Sequence, residues 1–87
     1  PTVIAQALAH AAPQVTVGTD QASSPYDIAA IAAGINSLGA QAKMHPITEV
    51  CIDRANKIVT APCYMMDADI AQVNDNVRDA LQAALAL

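Results

Sequence analysis

Residues 56–65 read Asn-Lys-Ile-Val-Thr-Ala-Pro-Cys-Tyr-Met and carry the most informative structural pattern of the chain. A turn-forming Asn56 precedes a β-branched run, and Pro62 follows it. Because β-branched residues favour extended backbone and proline cannot continue a ladder, the pattern predicts a short strand over 57–60. The similar run at 49–53 (Glu-Val-Cys-Ile-Asp) predicts its hairpin partner, with Asn56 adopting the positive φ of the connection.

The segment that follows predicts a closing amphipathic helix. The helix should begin at Asp67 or Asp69 and continue to Leu87. Apolar side chains recur at helical spacing along one stripe, which consists of Ile70, Val73, Val77, Leu81 and Leu85 (or Ala84). The polar residues at 74, 76, 78 and 79 lie off this stripe.

The first half of the chain alternates helical and extended patterns. We expect a helix to begin at Pro1, because proline suits the first helical position. A β-rich strand is predicted over 14–18 and ends at Gly18. The polar residues 19–24 then predict a loop.

A second helix and a second strand come next. Ser24 is the expected N-cap with Pro25 at the first helical position, and Gly39 stands just past the expected end of the helix. A strand is predicted over 40–45. The order helix, strand, helix, strand is typical of an α/β fold with parallel strands, and one parallel pair plus a hairpin leaves sheet edges uncovered.

Composition narrows the classes of function. The chain has 87 residues, a net charge of −4 and only four basic residues, so we expect no nucleic-acid partner. No apolar run approaches the roughly 20 residues of a membrane span, and we expect no membrane partner. His10 and His45 show no metal-site spacing with cysteines or carboxylates, so neither a metal nor another cofactor is predicted.

These segments resemble the C-terminal part of the ElbB glyoxalase-like proteins, within the ThiJ/PfpI (class I glutamine amidotransferase-like) superfamily. Four pieces carry the resemblance in order over most of the chain: Pro1-Thr2, then Val-Thr-Val-Gly-Thr-Asp at 15–20, Gly39-Ala40, and residues 56–60.

The resemblance implies a fold and a domain organisation. Residues 1–87 would be the C-terminal portion of one ThiJ/PfpI-like domain. That portion belongs to a Rossmann/flavodoxin-like three-layer sandwich with a mainly parallel sheet, a β-hairpin and a closing C-terminal helix. The N-terminal half and the nucleophile elbow would lie outside the chain, so the expected partner is that half or a complementary chain. The intact protein would be a homo-oligomer, such as a dimer.

The resemblance also implies an activity, which is glyoxalase-type conversion of small reactive dicarbonyls by a nucleophilic cysteine. That cysteine would fall just before Pro1, so no catalytic residue is assigned within the chain. The candidate pocket-edge residues are Pro1, Thr2, Gly18, Thr19, Asp20 and Pro62.

Two positions qualify this interpretation. Many superfamily members carry a histidine near the nucleophile where this chain has Gly18, so their catalytic dyad or triad does not transfer. Cys63 is a candidate redox thiol if it lies near a helix N-terminus, which lowers a thiol pKa. The competing interpretation is a small buried side chain at a site where relatives carry alanine.

An alternative function is a non-catalytic structural or interaction module that completes its sheet with another chain. The uncovered sheet edges motivate this alternative, and apolar helix faces would offer a surface. Two cysteines without a signal peptide favour free thiols and a reducing compartment, so the cytoplasm and the mitochondrial matrix are equal candidates.

Overall fold

The computed structural model describes residues 1–87. Its helices are α1 (Thr2–Ala7), α2 (Ile28–Ser37) and α3 (Ile70–Ala86). Its strands are β1 (Gln14–Gly18), β2 (Gln41–Met44), β3 (Cys51–Asp53) and β4 (Ile58–Thr60). Single turns of 3-10 helix span Ala9–Ala11 and Cys63–Met65.

Strands β1 and β2 form a parallel pair, with α2 as the connection between them. Gln14 lies opposite Gln41 at one end, and Gly18 lies opposite Met44 at the other. The register shifts between Thr16 and Gly18, which marks a local irregularity near the carboxyl end of β1. The predicted α/β unit is therefore confirmed.

Strands β3 and β4 form the predicted antiparallel hairpin, in which Cys51 lies opposite Thr60. The expected backbone of the connection is wrong in one detail, because Lys57 and not Asn56 has the positive φ, at 58°. Asn56 instead binds Asp53 twice, through its backbone nitrogen at 3.1 Å and its side-chain nitrogen at 2.8 Å. This Asx-type contact holds Asn56 in place and moves the left-handed residue one position along the chain.

The hairpin is attached to β1 through side chains. The Gln14 backbone N–H donates to Asp53 Oδ2 at 2.8 Å, and the Thr16 backbone N–H donates to Thr60 Oγ1 at 2.9 Å. Buried backbone donors need a partner, and here a carboxylate and a hydroxyl supply it in place of a strand.

Two helix starts differ from the prediction. Helix α1 begins at Thr2, with Pro1 as its N-cap. Helix α2 begins at Ile28, and its N-cap is Asp27, whose Oδ1 accepts the Ala30 backbone N–H at 3.1 Å. The Ser24 hydroxyl is not available as a cap, because it donates to the Met65 carbonyl oxygen and accepts the Tyr26 backbone N–H.

The end of α2 agrees with the prediction. Gly39 follows the helix with a φ of 101°, the left-handed conformation that commonly ends helices. The main core lies between α2, β1 and the flanking segments, and it consists of Ala5, Val15, Val17, Ile28, Ala32, Ile35, Ala40 and Met66. Small and β-branched side chains fill it, as the low aromatic content requires.

Helix α3 begins with a complete capping box. Asp69 accepts the Gln72 backbone N–H at 2.8 Å, while the Gln72 side chain accepts the Asp69 backbone N–H at 2.9 Å. The two contacts satisfy two donors at the helix end, and they select Asp69 over Asp67 as the N-cap. Neither α3 nor any other helix is long and apolar enough to cross a bilayer.

Candidate functional site

An apolar groove with a cavity volume of about 430 Å³ opens beside the first turn of α1. It adjoins the carboxyl end of β1, which is where open α/β sheets bind their ligands. Six of its eight lining residues are hydrophobic. The lining consists of Pro1, Thr2, Val3, Val17, Tyr26, Ile31, Tyr64 and Met65.

Three elements position this lining. The first turn of α1 is held by the bond from the Ala5 backbone N–H to the Pro1 carbonyl oxygen at 2.8 Å, and Ala5 itself is fully buried. Val17 extends from β1 into the floor and is only 3% exposed. The 3-10 turn Cys63–Met65 supplies the far wall.

The backbone of that turn is set by a side chain of α3. Cys63 has a positive φ of 49°, which is uncommon for a residue other than glycine. Its backbone N–H donates to Asn76 Oδ1 at 2.8 Å. Asn76 therefore fixes the position from which Tyr64 and Met65 reach the groove.

Tyr26 and Tyr64 are the only aromatic residues of the chain, and both line this groove. They are 47% and 69% exposed, so neither is used to fill the core. Exposed tyrosines are enriched at binding surfaces, because one ring combines apolar area with a polar tip. Neither residue was predicted from the sequence, although the absence of any other aromatic side chain was an available signal.

Thr19 and Asp20 lie in an adjoining concavity of about 210 Å³, which shares Tyr26 with the groove. Asp20 is exposed and accepts a hydrogen bond from Gln21 Nε2 at 3.1 Å. Thr19 is buried, and its Oγ1 accepts the Gln21 backbone N–H at 3.1 Å. The structure thus places Pro1 and Thr2 in one concavity, and Thr19 and Asp20 in its neighbour.

Gly18 and Pro62 line neither concavity. Gly18 has a φ of 119°, and a Cβ built there would lie 2.5 Å from Met66 Sδ. Pro62 is less than 2% exposed, and its carbonyl oxygen accepts the Met65 backbone N–H at 3.0 Å. Pro62 therefore holds the turn that carries Tyr64 and Met65, and Gly18 leaves room for the Met66 side chain.

Both cysteines are free thiols, and neither lines the groove. Burial raises the pKa of Cys63, which is opposite to the shift that a reactive thiol needs. Burial also raises the pKa of Cys51, only partly offset by a hydrogen bond from Thr60 that lowers it. Cys63 begins a single turn of 3-10 helix and not an α-helix, and its redox role stays a prediction.

A third concavity, lined mainly by polar residues, lies along α3, and its charges are partly paired. Arg78 contacts Asp75 at 3.1 Å, with both side chains more than half exposed. The chain contains no cluster of three or more His, Cys, Asp or Glu side chains with the geometry of a metal site.

Two known proteins are similar to this chain in sequence, although no protein-family model matches it. The chain is 31% identical over 77 residues to the ES1 protein homolog, mitochondrial, of Rattus norvegicus. It is likewise 31% identical over 77 residues to glutamine amidotransferase-like class 1 domain-containing protein 3, mitochondrial, of Homo sapiens. Each alignment covers 85% of this chain and 28% of the relative, so the chain spans little more than a quarter of either protein.

A solved structure has a similar fold over almost the whole of this chain. The isoprenoid biosynthesis protein with amidotransferase-like domain from Ehrlichia chaffeensis superposes with a TM-score of 0.78 at 21% sequence identity. The match covers 99% of this chain and 36% of that one. The chain therefore has the glutamine amidotransferase-like class I (ThiJ/PfpI-type) fold, which confirms the fold class expected from the sequence.

Proposed function

We propose that this chain is part of an ElbB-like glyoxalase that converts small reactive dicarbonyls. The observation that carries the proposal is the groove at the carboxyl end of β1, bounded by Pro1 and Thr2. It lies where the resemblance expects the nucleophile elbow to meet the sheet. Fold alone does not select a reaction, so the proposal depends on the chemistry of the groove.

The proposed reaction begins with attack of a cysteine thiolate on one aldehyde carbon of glyoxal, which forms a hemithioacetal. Hydride then passes from that carbon to the second carbonyl carbon, and water releases glycolate from the resulting thioester. Glyoxal plus water equals glycolate and a proton, so the internal oxidation and reduction balance without another reagent. The nucleophile would come from residues ahead of Pro1, because the thiols of Cys51 and Cys63 have raised pKa values and lie away from the groove.

The groove would hold the substrate, and the rest of the domain would supply the thiolate. Its apolar lining can contact the carbon atoms of the substrate, while the hydroxyl groups of Thr2, Tyr26 and Tyr64 can hydrogen-bond to carbonyl oxygens. The neighbouring Asp20 is exposed and lies at the adjoining rim. We propose that Thr19 and Asp20 lie at the rim of the substrate site. Gly18 and Pro62 would support the backbone around it.

The test uses a joined polypeptide, in which the part of the rat relative that has no counterpart in this chain is fused ahead of Pro1. Proton NMR then follows the formation of glycolate from glyoxal. We expect turnover by the joined polypeptide and none by the 87-residue chain. Thr2→Val and Tyr64→Phe should lower kcat/KM, while the exposed Gln82→Ala on α3 serves as the matched control. A joined polypeptide that folds but forms no glycolate would exclude the glyoxalase reaction.

A second candidate is a non-catalytic module that completes its sheet with another chain. The observation that favours it is β2, which pairs only with β1 and exposes Gln41, Lys43 and Met44. Such edges invite pairing with a further strand. If the joined polypeptide is inactive while the 87-residue chain captures a strand-forming partner, this candidate is preferred.

We also propose a mitochondrial matrix location and a homo-oligomeric intact protein. The names of both curated relatives describe mitochondrial proteins. Fractionation of cells that make the native protein tests the location, and recovery in the cytosol would be the contrary result. Light scattering of the joined polypeptide tests the oligomeric state.

A further inference from the structure

Helix α3 exposes most of its apolar stripe and buries a polar residue, while Val73 of the stripe is half-buried. Leu85 is 88% exposed, Leu81 is 61% exposed and Ile70 is 90% exposed. The only buried residue in the 17-residue helix is Asn76, at 1% exposure. A surface helix of a globular domain normally shows the opposite arrangement, with its apolar stripe against the core.

The buried side of α3 is held by directed contacts. Asn76 Oδ1 accepts the Cys63 backbone N–H at 2.8 Å, and Asn76 Nδ2 donates to the Glu49 carbonyl oxygen at 2.9 Å. The capping box at Asp69 fixes the start of the helix. A helix anchored in this way cannot turn its stripe inward without losing both contacts of Asn76. The stripe is therefore presented to the outside in a formed helix.

Four exposed side chains are arranged along one side of this helix: Ile70, Val77, Leu81 and Leu85. At 1.5 Å per residue, the 17-residue helix is about 25 Å long, so these side chains form one continuous apolar surface along it. Stable association of two free chains buries about 800 Å² on each partner. Four side chains are far fewer than the roughly 20–30 residues that each partner contributes to such an interface, whereas packing within one domain needs no interface of that size.

We propose that the stripe of α3 is the surface on which the remaining part of an amidotransferase-like domain packs. The comparison structure contains this chain's fold over 99% of its length, yet 64% of that protein lies beyond the match. The surface that contacts the stripe is expected to be apolar. The charged side chains of Asp75, Arg78 and Asp79 would lie beside the contact. This inference concerns assembly of the fold and does not depend on the glyoxalase reaction.

The experiment compares Leu81→Ala with Gln82→Ala, a neighbouring exposed position off the stripe. Each variant is made in the 87-residue chain and in the polypeptide joined to the missing part of the rat relative. Urea unfolding gives the equilibrium constant. In the isolated chain both substitutions should change the unfolding constant less than threefold, because both side chains are mostly exposed. In the joined polypeptide Leu81→Ala should raise the unfolding constant at least tenfold over Gln82→Ala.

Two controls complete the test. Light scattering of the isolated chain should give a monomer, and a dimer that Leu81→Ala dissociates would assign the stripe to a second copy and overturn the proposal. Equal effects of the two substitutions in the joined polypeptide would also overturn it. The proposal would also be overturned if residues 1–87 unfold as readily in the joined polypeptide as in the isolated chain. Because the readout is stability, an inactive but cooperatively folded joined polypeptide would reject the reaction and leave this inference intact.

Discussion

Asp53 accepts the backbone N–H of Gln14 at 2.8 Å, and this contact joins the β3–β4 hairpin to β1 across 39 positions of sequence. The same carboxylate accepts two hydrogen bonds from Asn56. These donors lower the pKa of Asp53, with the Asn56 side chain as the largest cause and the Gln14 amide next.

Asp53→Asn should destabilise the fold near pH 7 and much less in acid. The folded pKa of Asp53 lies below its unfolded value of about 4, so its contribution is complete above that value and is lost as the pH falls through the folded pKa. Urea unfolding of both proteins between pH 7 and pH 2 measures the difference. A difference in unfolding free energy that stays constant over this range would contradict the prediction.

Gly18→Ala should lower the free energy of unfolding by roughly 2–4 kcal/mol, because the new Cβ meets Met66 Sδ at a residue with positive φ. Gly34→Ala is the matched control. Gly34 lies within α2 with no atom within 4 Å of an added Cβ, so alanine should stabilise by about 0.5–1 kcal/mol. Thermal and urea unfolding report both changes, and equal effects would show that the close approach to Met66 is relieved at no cost.

Asn76→Ala should cost roughly 2–4 kcal/mol of stability, because the Cys63 amide and the Glu49 carbonyl group both lose their partner. The exposed Asn74→Ala on the same helix should change stability by less than about 0.5 kcal/mol. Hydrogen exchange at the Cys63 amide gives a local readout. If that amide stays as protected in Asn76→Ala as in the parent chain, the contact does not hold the turn.

Alkylation by iodoacetamide should be slower for both cysteines in the folded chain than in urea at the same pH. Burial raises both thiol pKa values, so the reactive thiolate fraction is smaller in the folded state. Cys51→Ser and Cys63→Ser variants separate the two rates by mass spectrometry. Faster alkylation of Cys63 in the folded chain would contradict this prediction and support a redox role for that thiol.

Features of the backbone that depend on neighbouring residues could be predicted from the sequence. The β-branched run at 58–60, the left-handed Gly39 and the start of α3 depend on contacts within a few positions, and each was predictable. The N-cap of α2 was not, because the Ser24 hydroxyl bonds to Met65, 41 positions away. A pattern of neighbouring residues carries no information about a partner that distant.

The pattern of residues was sufficient to predict the α/β order, the parallel pair, the hairpin and the amphipathic character of α3. It did not predict that Tyr26 and Tyr64 share one groove, or that Asn76 is buried while Leu81 and Leu85 face outward. Periodicity defines the faces of an element, but contacts with distant parts of the chain decide which face turns inward. In α3 the inward face carries the two hydrogen bonds of Asn76, and most of the apolar stripe lies on the outward face.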